Sequence, residues 1–421
     1  MSVDRRRCRN SYRVGIVQGR ERYRSLQKFA CNAVEGMSRR FDVTGVLYDD
    51  ASPRELRTLY DRSEVVVNLS SRCIRYDRGD SGTPTILFGH AWMDHAAGLN
   101  LFAQQGCLRA SDVLTFASRA ALAKFRRVYR TDMRVGVLPY FCSAPRRVGA
   151  DVRRRLREKY RLGRSKVVLY FGRLTPEKGI HRAIGAFLEA AVPNSSLVIA
   201  GMESALTTAG FPPAATTDYR RTLEACARGH ERVQILCVSD EDLEGLICTA
   251  SVAINLSCCY EEDFGMANIE ALSAGVPVLC TDWGGLKDSV VHAKNGYRVR
   301  TQLNRSLVPS IDESGAARYL SRMLLDDKLR KRLGKEARRC FQARYSPPAF
   351  LERMQRVIEQ AAADRGDRRK AALLEPKPWI REIYHDRLRR GTWEGMYVEH
   401  SRLFRYLYSC YSTTRRTRVR G

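Results

Sequence analysis

Val167-Val-Leu-Tyr-Phe-Gly-Arg-Leu-Thr-Pro-Glu-Lys-Gly179 reads as a buried strand, a glycine and an arginine at its carboxyl end, and a proline-containing turn that carries a lysine. Its five apolar residues are strand-sized, and their lack of alternation fits a parallel strand covered on both faces. Open α/β sheets bind ligands at the carboxyl edge of their strands. At that edge Gly172 permits close backbone approach. Arg173 and Lys178, five positions apart across a tight turn, can converge on one diphosphate and stabilise it as it departs and gains charge. Taken alone, an arginine and a lysine in a surface loop are more often solvated charges.

The strand-and-helix alternation extends in both directions. Downstream, strands are expected at Ser196–Ala200, Val233–Leu236, Val252–Leu256 and Val276–Thr281, with helical stretches between them. Upstream they are expected at Tyr12–Val17, Val43–Tyr48, Val65–Leu69, Thr85–Phe88, Val113–Phe116 and Val135–Leu138. Ser118 reads as the N-cap of an amphipathic helix, and Pro139–Arg147 as a linker. Ser346-Pro347-Pro348 is a helix start leading into Phe350–Ala362, which is expected to end the second domain. A chain of 421 residues exceeds one ordinary domain. The expectation is α/β: a Rossmann-like domain over residues 1–145, a second over 146–363, and an extension over 364–421. In that extension Trp379, Trp393, Tyr397, Tyr408 and Tyr411 interleave with arginines, as suits packing on the body, a headgroup layer or nucleic acid.

A second motif follows the strand Val252–Leu256: Glu261-Glu-Asp-Phe-Gly-Met-Ala-Asn-Ile-Glu270, continuing to Ala274-Gly-Val-Pro-Val278. With a helix beginning near Met266, Glu262 lies in the loop before it and Glu270 in its first turn or just beyond. The amides of Phe264, Gly265 and Met266 then point at the site. A carboxylate can bind two hydroxyl groups at once, and such amides donate to phosphate oxygens. An acidic loop with a carboxylate favoured by the helix dipole is the plainer reading.

Taken together, Gly-Arg-Leu-x-x-Glu-Lys-Gly at 172–179, the Glu262/Glu270 pair and Ala274–Val278 resemble the GT4 family of retaining glycosyltransferases, of GT-B fold. The resemblance covers about residues 165–300. It implies two Rossmann-like domains facing across a cleft, with Gly172, Arg173 and Lys178 at a donor diphosphate and Glu270 on the ribose. It also implies Glu262 beside the transferred sugar, the backbone of Phe264, Gly265 and Met266 next to it, and the base near Cys237-Val238-Ser239. His90, closing Thr85-Ile-Leu-Phe-Gly-His, falls where the family commonly places a histidine at the sugar. Members generally need no metal, and no ligand pattern here completes a zinc site around His95. Asp263 stands where many members have glycine. Glu-Glu-Asp-Phe-Gly is similar to a subset that includes mannosyltransferases using GDP-mannose.

Composition bears on partners. The net charge is +27, with 26 basic against 14 acidic residues in 1–150, 32 against 25 in 151–363, and 15 against 7 in 364–421. Arginine supplies most of the excess, which favours phosphate-rich partners. No apolar stretch is long enough to span a bilayer, and Met1-Ser-Val-Asp-Arg-Arg-Arg-Cys is followed by no apolar core, so a cytosolic protein is expected. The 13 cysteines form no Cys-x-x-Cys. Several lie in apolar runs, Cys237, Cys248 and Cys280 among them, and read as small core residues.

The expected activity is therefore transfer of a hexose from a UDP- or GDP-sugar, with no cofactor and no obligatory metal. The first acceptor is a glycolipid or polysaccharide at an anionic membrane surface, with the chain peripheral at the cytoplasmic face. The second is DNA, as hydroxymethylated or similar nucleobases. A basic GT-B-shaped binding protein without turnover and an epimerase of the nucleotide sugar are the remaining alternatives.

Overall fold

The computed structural model describes residues 12–20, 24–70, 78–89, 107–145, 148–202, 214–259, 262–303, 309–374, 378–379, 382, 408 and 410. The chain divides into two compact units. The first gathers Met1–Ala117, Val128–Leu138 and Phe350–Pro378, and the second gathers Ser118–Arg127, Pro139–Ala349 and Trp379–Gly421.

The strands of the first unit are β1 (Arg13–Gln18), β2 (Asp42–Leu47), β3 (Val65–Asn68), β4 (Thr85–Gly89) and β5 (Val113–Phe116). After the two-residue β6 (Arg130–Thr131) comes β7 (Arg134–Val137). Six of them form a parallel sheet in the order β2-β1-β3-β4-β5-β7. Every residue of β3, β4 and β5 is buried, which is why these strands read as continuous apolar runs.

The second unit contains β8 (Lys166–Arg173), β9 (Ser195–Met202), β10 (Val233–Leu236), β11 (Val252–Asn255), β12 (Val278–Thr281) and β13 (Gly296–Val299). They pair in parallel in the order β10-β9-β8-β11-β12-β13. From β8 the chain steps outward to β9 and β10, then crosses back to lay β11 on the other side of β8. That reversal is the switch point of a Rossmann sheet, where carboxyl-end loops diverge and leave room for a ligand. The core around it holds Val168, Ile180, Ile184, Phe187, Leu197, Ile199, Leu256 and Leu279. β13 was not expected; Gly296-Tyr-Arg-Val is short and carries a charge. The hairpin of β14 (Thr301–Leu303) and β15 (Pro309–Ile311) follows it, antiparallel.

Both expected helix starts are present. Ser118 accepts a hydrogen bond from the Ala121 amide at 3.1 Å, opening the helix Arg119–Val128, and Ser346 accepts one from the Ala349 amide at 3.4 Å. The helix Pro347–Ala362 buries Phe350, Met354, Ile358 and Ala361 along one stripe. Phe350 meets Phe29 edge-on at 5.7 Å. From Phe350 onward this helix therefore packs in the first unit instead of closing the second, because its stripe finds its apolar surface there. Beyond it the chain stays with that unit: the Ala371 amide donates to Leu108 O at 3.0 Å, and β16 (Leu373–Leu374) pairs with β6. The described residues Trp379, Tyr408 and Cys410 fall in the second unit. Of the cysteines expected inside, Cys280 is buried and Cys248 half-buried, whereas Cys237 is exposed at the end of β10.

Candidate active site at the switch point of the second sheet

β8 and β11 are neighbours, with Val252 opposite Val168 and Ala253 opposite Leu169. Their carboxyl-end loops therefore start side by side. β8 ends in Gly172 and Arg173, and Gly172 is exposed at φ +143°, a conformation that side chains other than hydrogen disfavour. Tyr170 donates its hydroxyl to Arg173 O at 2.7 Å, fixing the strand end. Pro176–Lys178 form a single 3-10 turn, and Gly179 closes it at φ +64°. A Cβ on Gly179 would lie 2.4 Å from Leu256 O, so the turn is pressed onto the end of β11 as only glycine allows. The Cys258 amide and the Ser257 hydroxyl both donate to Glu177 O, at 3.2 and 3.3 Å, which ties the two loops together.

This stapling brings Lys178 onto Glu262, with Nζ to Oε2 at 2.6 Å and both side chains largely buried. Burial alone would raise the Glu262 carboxyl, but the Lys178 charge and hydrogen bonds from Lys178 and Ser257 outweigh it and hold it below the ordinary carboxylate range. Burial likewise works to lower Lys178, and Glu262 outweighs it, so the ammonium is raised. Both members are thus ionised at neutral pH. Arg173 stands 3.8 Å from Glu177 Oε1, which also accepts from the Thr175 hydroxyl at 2.7 Å. Glu177 was quoted as part of the 172–179 motif but given no role of its own; its place next to Lys178 in that motif was the available signal.

The helix Met266–Ser273 begins at the expected residue, with Gly265 as its cap at φ +85°. Glu262 lies in the loop before it, and half-buried Glu270 sits just beyond its first turn. The Gly285 amide donates to Glu262 O at 2.7 Å. Phe264 turns its ring into the core, edge-on to Tyr140 at 5.1 Å and to Tyr345 at 5.8 Å, which leaves its backbone as the part able to meet a ligand. Met266 is half-buried. Val238 is half-buried in the loop between β10 and the helix Asp240–Thr249. It lies two strands from β8, roughly 10 Å across the sheet. His90 lies outside the described residues, as does His95.

Beside the cations, the Tyr219 hydroxyl accepts hydrogen bonds from the Ile180 and His181 amides at 3.1 and 3.2 Å, capping the helix Ile180–Ala190. It also meets His181 Nδ1 at 2.9 Å. Burial, reinforced by Arg182, lowers the His181 imidazole below its ordinary value and keeps it neutral. Nothing local in the sequence announces this tyrosine. Among the described residues no three His, Cys, Asp or Glu side chains group to hold a metal ion.

Two Rossmann-like parallel sheets, the second with this acidic and basic pair at its switch point, define the GT-B class of fold. Residues 152–340, within the second unit, match the family described as glycosyl transferases group 1. The chain is 29% identical over 199 residues to the GDP-mannose-dependent alpha-(1-6)-phosphatidylinositol monomannoside mannosyltransferase of Mycolicibacterium smegmatis, covering 44% of this chain and 48% of that protein. It is 29% identical over 256 residues to the alpha-D-kanosaminyltransferase of Streptomyces kanamyceticus, covering 60% and 61%. The chain spans about half the length of the curated relatives it matches. In structure it resembles HepE of Anabaena, solved with UDP and glucose, at a TM-score of 0.62 and 15% identity, over 83% of this chain and 99% of that one. Among the described residues no helix is long and apolar enough to cross a membrane.

Proposed function

We propose that the chain is a retaining hexosyltransferase that moves a sugar from a UDP- or GDP-sugar to a hydroxyl of a membrane-associated glycolipid or polysaccharide. The observation that carries the reading is the 2.6 Å Lys178–Glu262 pair, set at the switch point with Arg173 and the Gly265–Met266 helix start around it.

In this reading Arg173 and Lys178 bind the diphosphate and stabilise it as the bond to the sugar breaks. The open backbone at Gly172 lets the phosphates approach. Glu270 holds the ribose, and Val238 flanks the base. Glu262, kept ionised by Lys178, accepts hydrogen bonds from hydroxyls of the transferred sugar. An ionised carboxylate has no proton to give, so Glu262 positions the donor and is not a general acid. The acceptor oxygen attacks the face from which the diphosphate leaves, and the leaving phosphate takes the acceptor's proton. Alignment and charge stabilisation suffice for such a leaving group, and no metal is assigned a step.

A lipid acceptor is favoured by the mannosyltransferase relative, whose name specifies a phosphatidylinositol mannoside, and by the +27 charge, which suits the anionic cytoplasmic face. The same relative favours GDP-mannose as donor. The test is a screen of UDP- and GDP-sugars against membrane lipids and hydroxymethylated DNA. Transfer to lipid is expected. Transfer to DNA alone would replace the acceptor, and binding without turnover of any donor would overturn the enzyme reading.

A further inference from the structure

Asp263, adjacent to Glu262, is buried and carries its own counter-ion. Lys124, on the helix Arg119–Val128, reaches Asp263 Oδ1 with Nζ at 3.2 Å, and its side chain is fully buried. The Lys124 ammonium lies over the ring of Tyr408 at 5.3 Å, within cation–π range. Tyr408 belongs to the C-terminal extension, yet it is 0% exposed. Its ring stacks parallel to that of Trp283, with centroids 6.4 Å apart at 8°. Trp283 in turn donates its indole N–H to Cys259 O at 2.9 Å. Lys287 holds the extension again through Cys410 O at 2.8 Å.

These contacts close on one loop. Cys259 begins it, and the Glu262 amide donates back to Cys259 O at 3.1 Å. Gly285 supports it from below, so closely that a Cβ there would stand 2.0 Å from Asp263 O. A lysine ammonium fully removed from water is costly unless it is paired, and this one is satisfied by a carboxylate of the loop and an aromatic face of the extension. All of these groups lie in the second unit.

We propose that Lys124 and Tyr408 are positioning residues for Glu262: Tyr408 of the C-terminal extension, through Lys124 and Asp263, latches the backbone at Cys259 and Glu262–Asp263, and so sets where the Glu262 carboxylate stands against the donor's sugar. The inference rests on the reading of Glu262 given above. It also gives the extension a role within the site, separate from any contact with an acceptor.

The test uses the full chain as Tyr408→Ala, Tyr408→Phe and Lys124→Met. Two readouts are taken: alkylation of Cys259 by N-ethylmaleimide, mapped by mass spectrometry with Cys280 as the control thiol, and kcat with the donor from the screen alongside Kd for free UDP and GDP. Cys259 and Cys280 are both buried. In Tyr408→Ala and Lys124→Met, Cys259 should alkylate about tenfold faster as its loop opens locally, with Cys280 unchanged. The kcat should fall roughly tenfold to a hundredfold, as expected of a displaced positioning group, with Kd for the nucleotide within about twofold of wild type. Tyr408→Phe keeps the ring face and should restore both. Cys259 protected as in wild type with kcat intact would overturn the proposal. So would Cys280 opening in step with Cys259, or nucleotide affinity falling in step with kcat, since either marks a general loss of packing. If wild type turns over no donor, the functional reading fails, and Cys259 alkylation still decides whether the latch exists.

Discussion

Lys178 and Glu262 are 84 positions apart in the chain and 2.6 Å apart in space. No local feature of either residue produces that contact. It follows from strand order, because β11 returns to the side of β8 that β9 left open, and each strand hands its next loop to the same edge. Gly179 against Leu256 O and Ser257 on Glu177 O then fix the two loops at the spacing of a hydrogen bond.

Breaking the pair should separate activity from stability. Lys178→Ala or Glu262→Ala leaves one buried charge without its partner, an effect of about 3–5 kcal/mol in comparable cases. Either variant should lower the unfolding midpoint, remain folded, and lose transfer. The double replacement Lys178→Met with Glu262→Leu should recover most of the stability and none of the activity. Urea unfolding and a donor-turnover assay on the same samples check both halves, and wild-type turnover in either single variant would sink the donor-site assignment.

The pH dependence follows from the two shifts. Glu262 is depressed from its ordinary 4.5, so its contribution to stability is complete above that value and is lost as pH falls through the lower folded value. Lys178 is raised from 10.5, so its contribution is complete below that value and is lost as pH rises through the higher one. Between these limits the pair should leave stability flat. Glu262→Gln should remove part of the acid limb of an unfolding titration, and an unchanged limb would show that other carboxylates dominate it.

Much of this site was legible because it is local. The run Val167–Phe171 and the residues after it declared a strand and the turn at its carboxyl end, and the helix starting at Met266 placed Glu262 and Glu270 on either side of its cap. What was not legible depends on distant pairing. β13 has too few apolar residues to announce itself, and only its pairing with β12 makes it a strand. The stripe of Phe350, Met354 and Ile358 shows that the helix must bury one face, but not which unit supplies the surface. Asp263 stood out as a departure from the family pattern, yet Lys124 and Tyr408 lie far from it in sequence and have no spacing that points to it.

Gly179→Ala should be among the most damaging single-methyl changes in the second unit. It places a Cβ 2.4 Å from a backbone oxygen at φ +64°, where the left-handed backbone and the overpacking together cost roughly 2–4 kcal/mol. Because the clash is with backbone, relief requires the Lys178 turn to move away from β11. The unfolding midpoint should fall, and KM for the donor should rise with it. A variant with normal KM would show that the turn's position is not what sets donor binding.

The lipid acceptor makes a prediction about the outer face of the helix Asp327–Arg344. That helix buries Leu329, Leu333, Ala337 and Phe341 and turns exposed Lys331, Lys335, Arg338 and Arg339 the other way. These four line a groove of ≈ 450 Å³ that Ala274 and Gly275 also border. Near an anionic headgroup layer each such cation contributes about 1 kcal/mol, and the field decays within a Debye length of about 8 Å at physiological salt. Binding of the full chain to phosphatidylserine vesicles should therefore weaken as salt rises. Lys331→Glu with Lys335→Glu replaces attraction by repulsion at two points and should reduce vesicle binding at least tenfold, about 1.4 kcal/mol. Turnover of a water-soluble acceptor analogue should be unaffected, because this helix supplies none of the donor groups. If vesicle binding is unchanged in that variant, another basic surface must face the membrane, and the first unit, with its own excess of arginine, is the place to look.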